Sequence, residues 1–167
     1  MDNIYLVMPA YNEGKSIESV VAQWYPVVEK IGNDSRLLIV NDGSTDDTSV
    51  ILAKLQEKYP LLLTENRTNG GHGATIHYAY RKAIEAGVTY VFQTDSDGQT
   101  DPNDFWVFWE NRKQYDFLIG LRSQRQEEFI RILATWVLRV LLFFIFGKRI
   151  KDPNTPFRLM KTERLSS

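Results

Sequence analysis

The stretch Val88-Thr89-Tyr90-Val91-Phe92-Gln93-Thr94-Asp95-Ser96-Asp97-Gly98-Gln99 decides the fold. Its first seven residues are mostly β-branched or aromatic, the composition of a short strand, and they run without a spacer into two carboxylates. Three earlier segments repeat the buried-strand pattern: Ile4 to Met8, closed by Pro9, then Leu37 to Val40, then Leu61 to Thr64. A fifth spans Phe117 to Leu121. Near-continuous apolar runs of this length suit strands covered on both faces. Between them the spacing changes to threes and fours. Ile17, Val20, Val21, Trp24, Val28 and Ile31 mark one helix, with Pro26 inside it and Gly32 as its stop. A second runs from Thr45, its expected N-cap, to about Tyr59. A third carries Ile76, Tyr80, Ala83 and Ile84 on one face and stops at Gly87. Strands alternating with helices give an α/β fold, a mostly parallel sheet flanked by helices with right-handed crossovers. Ligands of such sheets bind beyond the carboxyl ends of the strands.

Composition narrows the chemistry. A chain of 167 residues fits a single domain over 1–167, and 43% apolar with 25% charged residues is the balance of a folded protein. The net charge of -1 supplies no field to gather nucleic acid, so no nucleic-acid partner is expected and an anionic ligand must be held locally. Without cysteine there are no disulfides and no thiolate metal sites, which fits a reducing cytoplasm. The opening Met-Asp-Asn lacks the basic start of a signal peptide, and no apolar run reaches the roughly 20 residues needed to cross a bilayer.

The polar clusters fall where the sheet rule wants them. Tyr11-Asn12-Glu13 follows the first strand, Asn41-Asp42-Gly43-Ser44 the second, and Asp95-Ser96-Asp97 the fourth. In a turn, Asp95 and Asp97 can approach one hard cation, with Gln99 as a third oxygen donor, and magnesium or manganese is the natural occupant. Such an ion bridges carboxylates to phosphate oxygens that would otherwise repel them. Asp42 reads either as an acceptor for a nucleobase or ribose, or as part of a turn that caps a helix. The Gly70-Gly71-His72-Gly73 loop lacks the Lys-Ser/Thr of a Walker phosphate loop; its glycines allow either close backbone approach to a ligand or a tight turn. His72 and His77 have no metal-ligand partner at useful spacing and read as packing or surface residues.

Taken together, Val7-Met8-Pro9-Ala10-Tyr11-Asn12-Glu13, Val40-Asn41-Asp42-Gly43-Ser44-Thr45-Asp46-Asp47-Thr48, Asn69-Gly70-Gly71-His72-Gly73-Ala74 and Asp95-Ser96-Asp97-Gly98-Gln99 resemble, in order and spacing, the family 2 glycosyltransferases of GT-A (Rossmann-like) fold. Within that family the chain is most similar to dolichyl- and polyprenyl-phosphate sugar synthases. Asp101-Pro102 follows the acidic motif, and Asp152-Pro153-Asn154-Thr155-Pro156-Phe157-Arg158 is similar to their D-x-x-S-G-F-R segment, with Pro156 in place of the glycine. The resemblance implies that Pro9, Tyr11, Glu13 and Asp42 hold a UDP- or GDP-linked sugar by its nucleoside, and that Asp95, Asp97 and Gln99 surround Mg2+ or Mn2+. It implies further that Arg122 and Arg158 face phosphate or sugar, forming with Asp97 the catalytic set. Arg122 stands in Gly120-Leu121-Arg122 where the family often has Gly-Ser-Arg.

Ile130 to Phe146 is nearly all apolar and is flanked by Arg125, Arg131, Lys148, Arg149 and Lys151. An apolar helix with cationic ends suits the interface of an anionic membrane; a core helix or a homo-oligomer interface is the other reading. Related synthases often continue into transmembrane helices, so the chain reads as ending early, at Ser167. The resemblance implies an inverting glycosyltransferase with a polyprenyl phosphate acceptor, and the cation-flanked apolar segment suits one peripheral on the cytoplasmic membrane face. A phosphate monoester is already largely anionic at pH 7 and needs no general base. A sugar or protein hydroxyl would need one, from Glu127, Glu128 or Asp152. The rival readings are a soluble transferase extending a polysaccharide and a non-catalytic nucleotide-sugar-binding module.

Overall fold

The computed structural model describes residues 2–32, 34–120 and 155–165. The described chain runs β1 (Ile4–Ala10), α1 (Ile17–Ile31), β2 (Arg36–Asn41), α2 (Thr48–Lys58), β3 (Leu62–Asn66), α3 (His72–Glu85), β4 (Tyr90–Gln93), α4 (Phe105–Asn111), β5 (Phe117–Ile119) and β6 (Arg158–Lys161). The sheet order is β3-β2-β1-β4-β6-β5. β1 lies parallel to both β2 and β4, β2 is parallel to β3, and β6 is antiparallel to β4. The expected mostly parallel α/β sheet is therefore present. Its carboxyl ends at Ala10, Asn41 and Gln93 stand side by side.

β1 shows why its sequence lacks alternation. Successive strand residues point to opposite faces, and Leu6 and Met8 join the cluster containing Val20, Val21 and Trp24 of α1, while Val7 joins the one containing Ala79 and Ala83 of α3. Both faces are buried, so every position is apolar.

Two elements escaped the sequence reading. α4 is the aromatic run Phe105-Trp106-Val107-Phe108-Trp109, and β6 is the four-residue Arg158-Leu159-Met160-Lys161, too short to show a period. β6 enters between β4 and β5 because Phe157, just before it, plugs an aromatic cluster. Its ring lies 4.6 Å from Phe92 and 5.1 Å from Phe108, and Phe92 lies 5.0 Å from Phe105. Such edge-to-face pairs contribute about 0.5–1.5 kcal/mol each beyond area burial. The register then sets Arg158 opposite Gln93, at the carboxyl end of β4.

The N-cap of the second helix is also corrected. α2 starts at Thr48, not beside Thr45, and its first amide donates to Asp46 Oδ1 at 3.0 Å. Thr45 is taken instead by the neighbouring loop, its amide donating to Asn12 Oδ1 at 2.8 Å.

The chain forms two compact units, Met1–Leu118 with Phe157–Ser167, and Ile119–Pro156. Of the second, only residues 119, 120, 155 and 156 are described, so Arg122 and the 130–146 segment lie outside the described residues. Among those described, no helix is long and apolar enough to cross a membrane.

Candidate donor site at the carboxyl ends of the strands

A cavity of about 420 Å³ opens where β1, β2 and β4 end. Pro9, Ala10, Tyr11 and Glu13 line it from β1 and its loop, Asp42 from β2, Asn69, Gly71, His72 and Thr75 from the start of α3, and Asp95, Ser96 and Asp97 from β4. Pro9, Tyr11, Glu13, Asp42, Asp95 and Asp97 all meet there, with Gly71 and His72 of the glycine loop beside them. Gln99 does not. It is exposed, and its backbone N–H donates to Asp97 Oδ1 at 3.0 Å. Arg158 sits at the same end of the sheet, outside the lining.

Hydrogen bonds between loops fix the walls. The β1 loop is clamped to the β2 loop: Asn12 N donates to Ser44 Oγ at 2.9 Å, Glu13 N to Thr48 Oγ1 at 2.9 Å, and Gly14 N to Asp46 Oδ2 at 3.0 Å. Asn12 turns the chain there with a φ of 58°. The acidic turn is tied to β1 by the buried Ser96, whose hydroxyl donates to Pro9 O at 2.7 Å. Three chain segments distant in sequence thus form one frame, which preorganises the site without a ligand.

Asp42 is the most constrained carboxylate of the set. It is 4% exposed; its Oδ1 accepts from Gly70 N at 3.0 Å and its Oδ2 from Gly71 N at 2.9 Å. Burial opposes its charge, yet the bonds from Gly70, Thr75 and Gly71, with the nearby Arg67 guanidinium, hold it below the usual carboxylate range. It is therefore ionised at neutral pH. Each carboxylate oxygen has two acceptor sites, so the donors Gly70, Gly71 and Thr75 still leave room for one ligand N–H or O–H. The helix-cap reading of Asp42 does not hold, because its side chain serves the glycine loop and not α2.

The glycine loop resolves in the same way. Gly71 has a φ of 85° and borders the cavity, a backbone region that side-chained residues avoid. Gly43 has a φ of 70°, and a Cβ there would come 2.8 Å from Asn69 N. Together they let the β2 turn and the α3 loop close on each other. The loop's role is to aim two amides at Asp42, a purpose the sequence pattern alone did not separate from a tight turn.

Asp95 and Asp97 are opposite in exposure. Asp95 is half-buried with its Oδ1 fully covered, whereas Asp97 is exposed. Both line the cavity as hard oxygen donors, which fits magnesium or manganese. Among the described residues no group of three or more His, Asp or Glu is arranged to hold a metal by itself.

Residues 5–161 match the family described as Glycosyl transferase family 2, and the chain belongs to that family. It is 27% identical over 169 residues to undecaprenyl-phosphate 4-deoxy-4-formamido-L-arabinose transferase of Pectobacterium atrosepticum, covering 99% of this chain and 50% of the relative. It is 30% identical over 182 residues to UDP-N-acetylglucosamine–dolichyl-phosphate N-acetylglucosaminyltransferase of Methanococcus voltae, covering 97% and 70%. The chain thus spans half to about two thirds of the length of these relatives. Among solved structures, glucosyl-3-phosphoglycerate synthase of Mycobacterium tuberculosis, in complex with Mn2+, UDP-glucose and phosphoglyceric acid, superposes with a TM-score of 0.72 at 20% identity. That superposition covers 99% of this chain and 59% of the other, and it is a likeness of fold, the GT-A α/β architecture.

Proposed function

We propose that this family 2 glycosyltransferase carries the donor site of an inverting enzyme that moves a sugar from a nucleoside diphosphate to a polyprenyl phosphate. The observation that carries the donor reading is the cavity itself: one wall presents an ionised, loop-locked Asp42, and another presents Asp95 and Asp97. Pro9, Tyr11, Glu13 and Asp42 take the nucleoside, with Asp42 accepting from its base or ribose. Asp95 and Asp97, both at the cavity, would hold Mg2+ or Mn2+ as two hard oxygen ligands. When bound, such an ion neutralises the charge that develops on the departing diphosphate.

The acceptor half of the proposal is supported by the relatives, two of which are named for undecaprenyl-phosphate and dolichyl-phosphate substrates. A lipid phosphate monoester attacks as an anion, so the protein's task is to position it. Arg158, set at the active end of β4 by Phe157, is one cation for this; Arg122 and the basic-flanked 130–146 segment, placed at an anionic cytoplasmic membrane surface, are the others in the proposal.

A thermal-shift screen of UDP- and GDP-sugars, with manganese and with EDTA, tests the donor reading. A ligand at 100 times its Kd stabilises by about 2.7 kcal/mol, a clear rise in Tm. The expected result is a rise with one nucleotide class that shrinks in EDTA. No shift with any nucleoside diphosphate in either condition overturns the donor site.

A further inference from the structure

Arg67 follows β3 directly and belongs to none of the motifs in the sequence. Three contacts fix its guanidinium. Nη1 donates to Thr75 Oγ1 at 3.1 Å, the same nitrogen stands 3.8 Å from Asp42 Oδ1, and the group lies over the Tyr78 ring at 5.7 Å. Tyr78 is itself anchored: its hydroxyl donates to Glu65 Oε2 at 3.2 Å, and Lys82 Nζ stands 3.5 Å from Glu65 Oε1. The loop is wrapped around this group, since Arg67 N donates to Asn41 O at 3.0 Å and a Cβ on Gly70 would come within 2.7 Å of Nη2. Arg67 does not line the cavity, but Asp42 and Thr75 do. Whatever it does for a ligand, it does through them.

A carboxylate whose side chain is 5% exposed turns or takes up a proton unless its surroundings prevent both. The two glycine amides fix its plane, and against the opposing burial the hydrogen bonds from Gly70, Thr75 and Gly71, together with the Arg67 guanidinium 3.8 Å away, keep it an ionised acceptor; Thr75 Oγ1, held by Arg67, donates to Gly71 O at 3.1 Å. A fixed acceptor favours a base that offers a ring N–H, as uracil and guanine do. It repels cytosine, whose corresponding ring nitrogen is a lone pair. We infer that Arg67 is a positioning residue that sets base selectivity, by holding Asp42 as a fixed acceptor against the nucleoside. This assignment rests on the nucleotide-donor reading.

Calorimetric titration of the full chain with UDP, GDP and CDP, each with manganese, tests it in wild type, Arg67→Met and Arg67→Lys. Wild type should bind the tighter of UDP and GDP well ahead of CDP. Arg67→Met should lower that ratio about tenfold, the worth of one hydrogen bond to a charged group, while CDP affinity stays nearly constant. Arg67→Lys keeps a charge but loses the fork and the stacking, so its ratio should fall between the two. An equal loss for all three nucleotides marks a merely structural role and overturns the assignment, as does an unchanged ratio in Arg67→Met. If Arg67→Met does not fold, Arg67→Lys decides alone, with an unchanged ratio or a uniform loss counting against it. Wild-type protein that binds none of the three overturns the donor reading itself, a result distinct from intact binding with unaltered selectivity.

Discussion

The two ends of the sheet treat charge in opposite ways. At the amino end of β4, carboxylates are matched to cations: Arg112 Nε meets Asp2 at 2.9 Å, and Asp116 receives Lys161 at 2.6 Å and Arg164 at 3.1 Å. At the carboxyl end, Glu13, Asp42, Asp95 and Asp97 gather around one cavity; Asp42 and Asp97 accept from backbone amides and Glu13 from the Ser16 hydroxyl, with Arg67 3.8 Å from Asp42. Matched pairs hold a strand order together. At the cavity Asp42 has the Arg67 cation beside it, while the exposed Asp97 accepts from a backbone amide, and carboxylates so gathered would draw in a cation with its phosphate cargo.

The strongest way to break this contrast is Asp97→Ala set beside Asp116→Ala. Asp97 is exposed and accepts one backbone bond, so its loss should leave Tm nearly unchanged while lowering donor turnover by roughly 10²–10³-fold, the scale of removing one stabilising electrostatic group. Asp116→Ala should do the reverse, lowering Tm with turnover intact, because Lys161 and Arg164 lose their shared partner. Nucleoside diphosphate release and a melting curve on each variant provide the readout. If Asp97→Ala keeps its turnover, the two ends of the sheet do not differ in function.

A smaller effect is expected at Asp42, where the two behaviours overlap. Asp42→Asn keeps the shape but replaces one acceptor with a donor that faces Gly70 N or Gly71 N. Stability should fall by about 1–3 kcal/mol, and nucleotide affinity by about tenfold. In wild type the depressed Asp42 pKa adds stability that is present above its ordinary value of 3.8 and lost as pH falls through the lower folded value. Asp42→Asn should therefore flatten the acid limb of a denaturation series. An unchanged limb would remove Asp42 from the acid response.

Much of this was legible beforehand because it is local. β1, β2 and β4 announced themselves as apolar runs ending in polar turns, and the topology rule then placed Tyr11, Asp42, Asp95 and Asp97 on one rim. What escaped was non-local. The pairing of β6 with β4 depends on Phe157 finding Phe92, more than sixty residues away in sequence, and a four-residue strand has no period to reveal it. Thr45 departs from its expected capping role for a related reason: its amide finds Asn12, a partner that appears only when the β1 and β2 loops meet. Arg67 carried no motif at all; only the folded loop shows what its guanidinium touches.

The smallest expected effect separates two tyrosines at opposite ends of β4. Tyr90 opens the strand, with Asp2, Lys161 and Arg112 around it, and its phenol is raised by burial first and by Asp2 second, while the two cations oppose the rise. Tyr80 donates to the buried Gln93 where the strand ends, and burial pushes it up to about 12, with Arg158 pulling the other way. A raised phenol pKa means that the unfolded chain loses its proton first, so the stability is intact below pH 10 and drains away as pH climbs towards about 12. Tyr80→Phe should cost about 1 kcal/mol at neutral pH through the lost bond to Gln93. It should also make stability fall less steeply above pH 10 than in wild type, whereas Tyr90→Phe should change that slope less. Urea melts of the three proteins at about pH 8 and about pH 11 measure both terms. An alkaline slope that Tyr80→Phe leaves untouched would mean the phenol beneath the site is solvated in the folded state. Arg158 would then lose the buried neighbour that marks its place at the active end of the sheet.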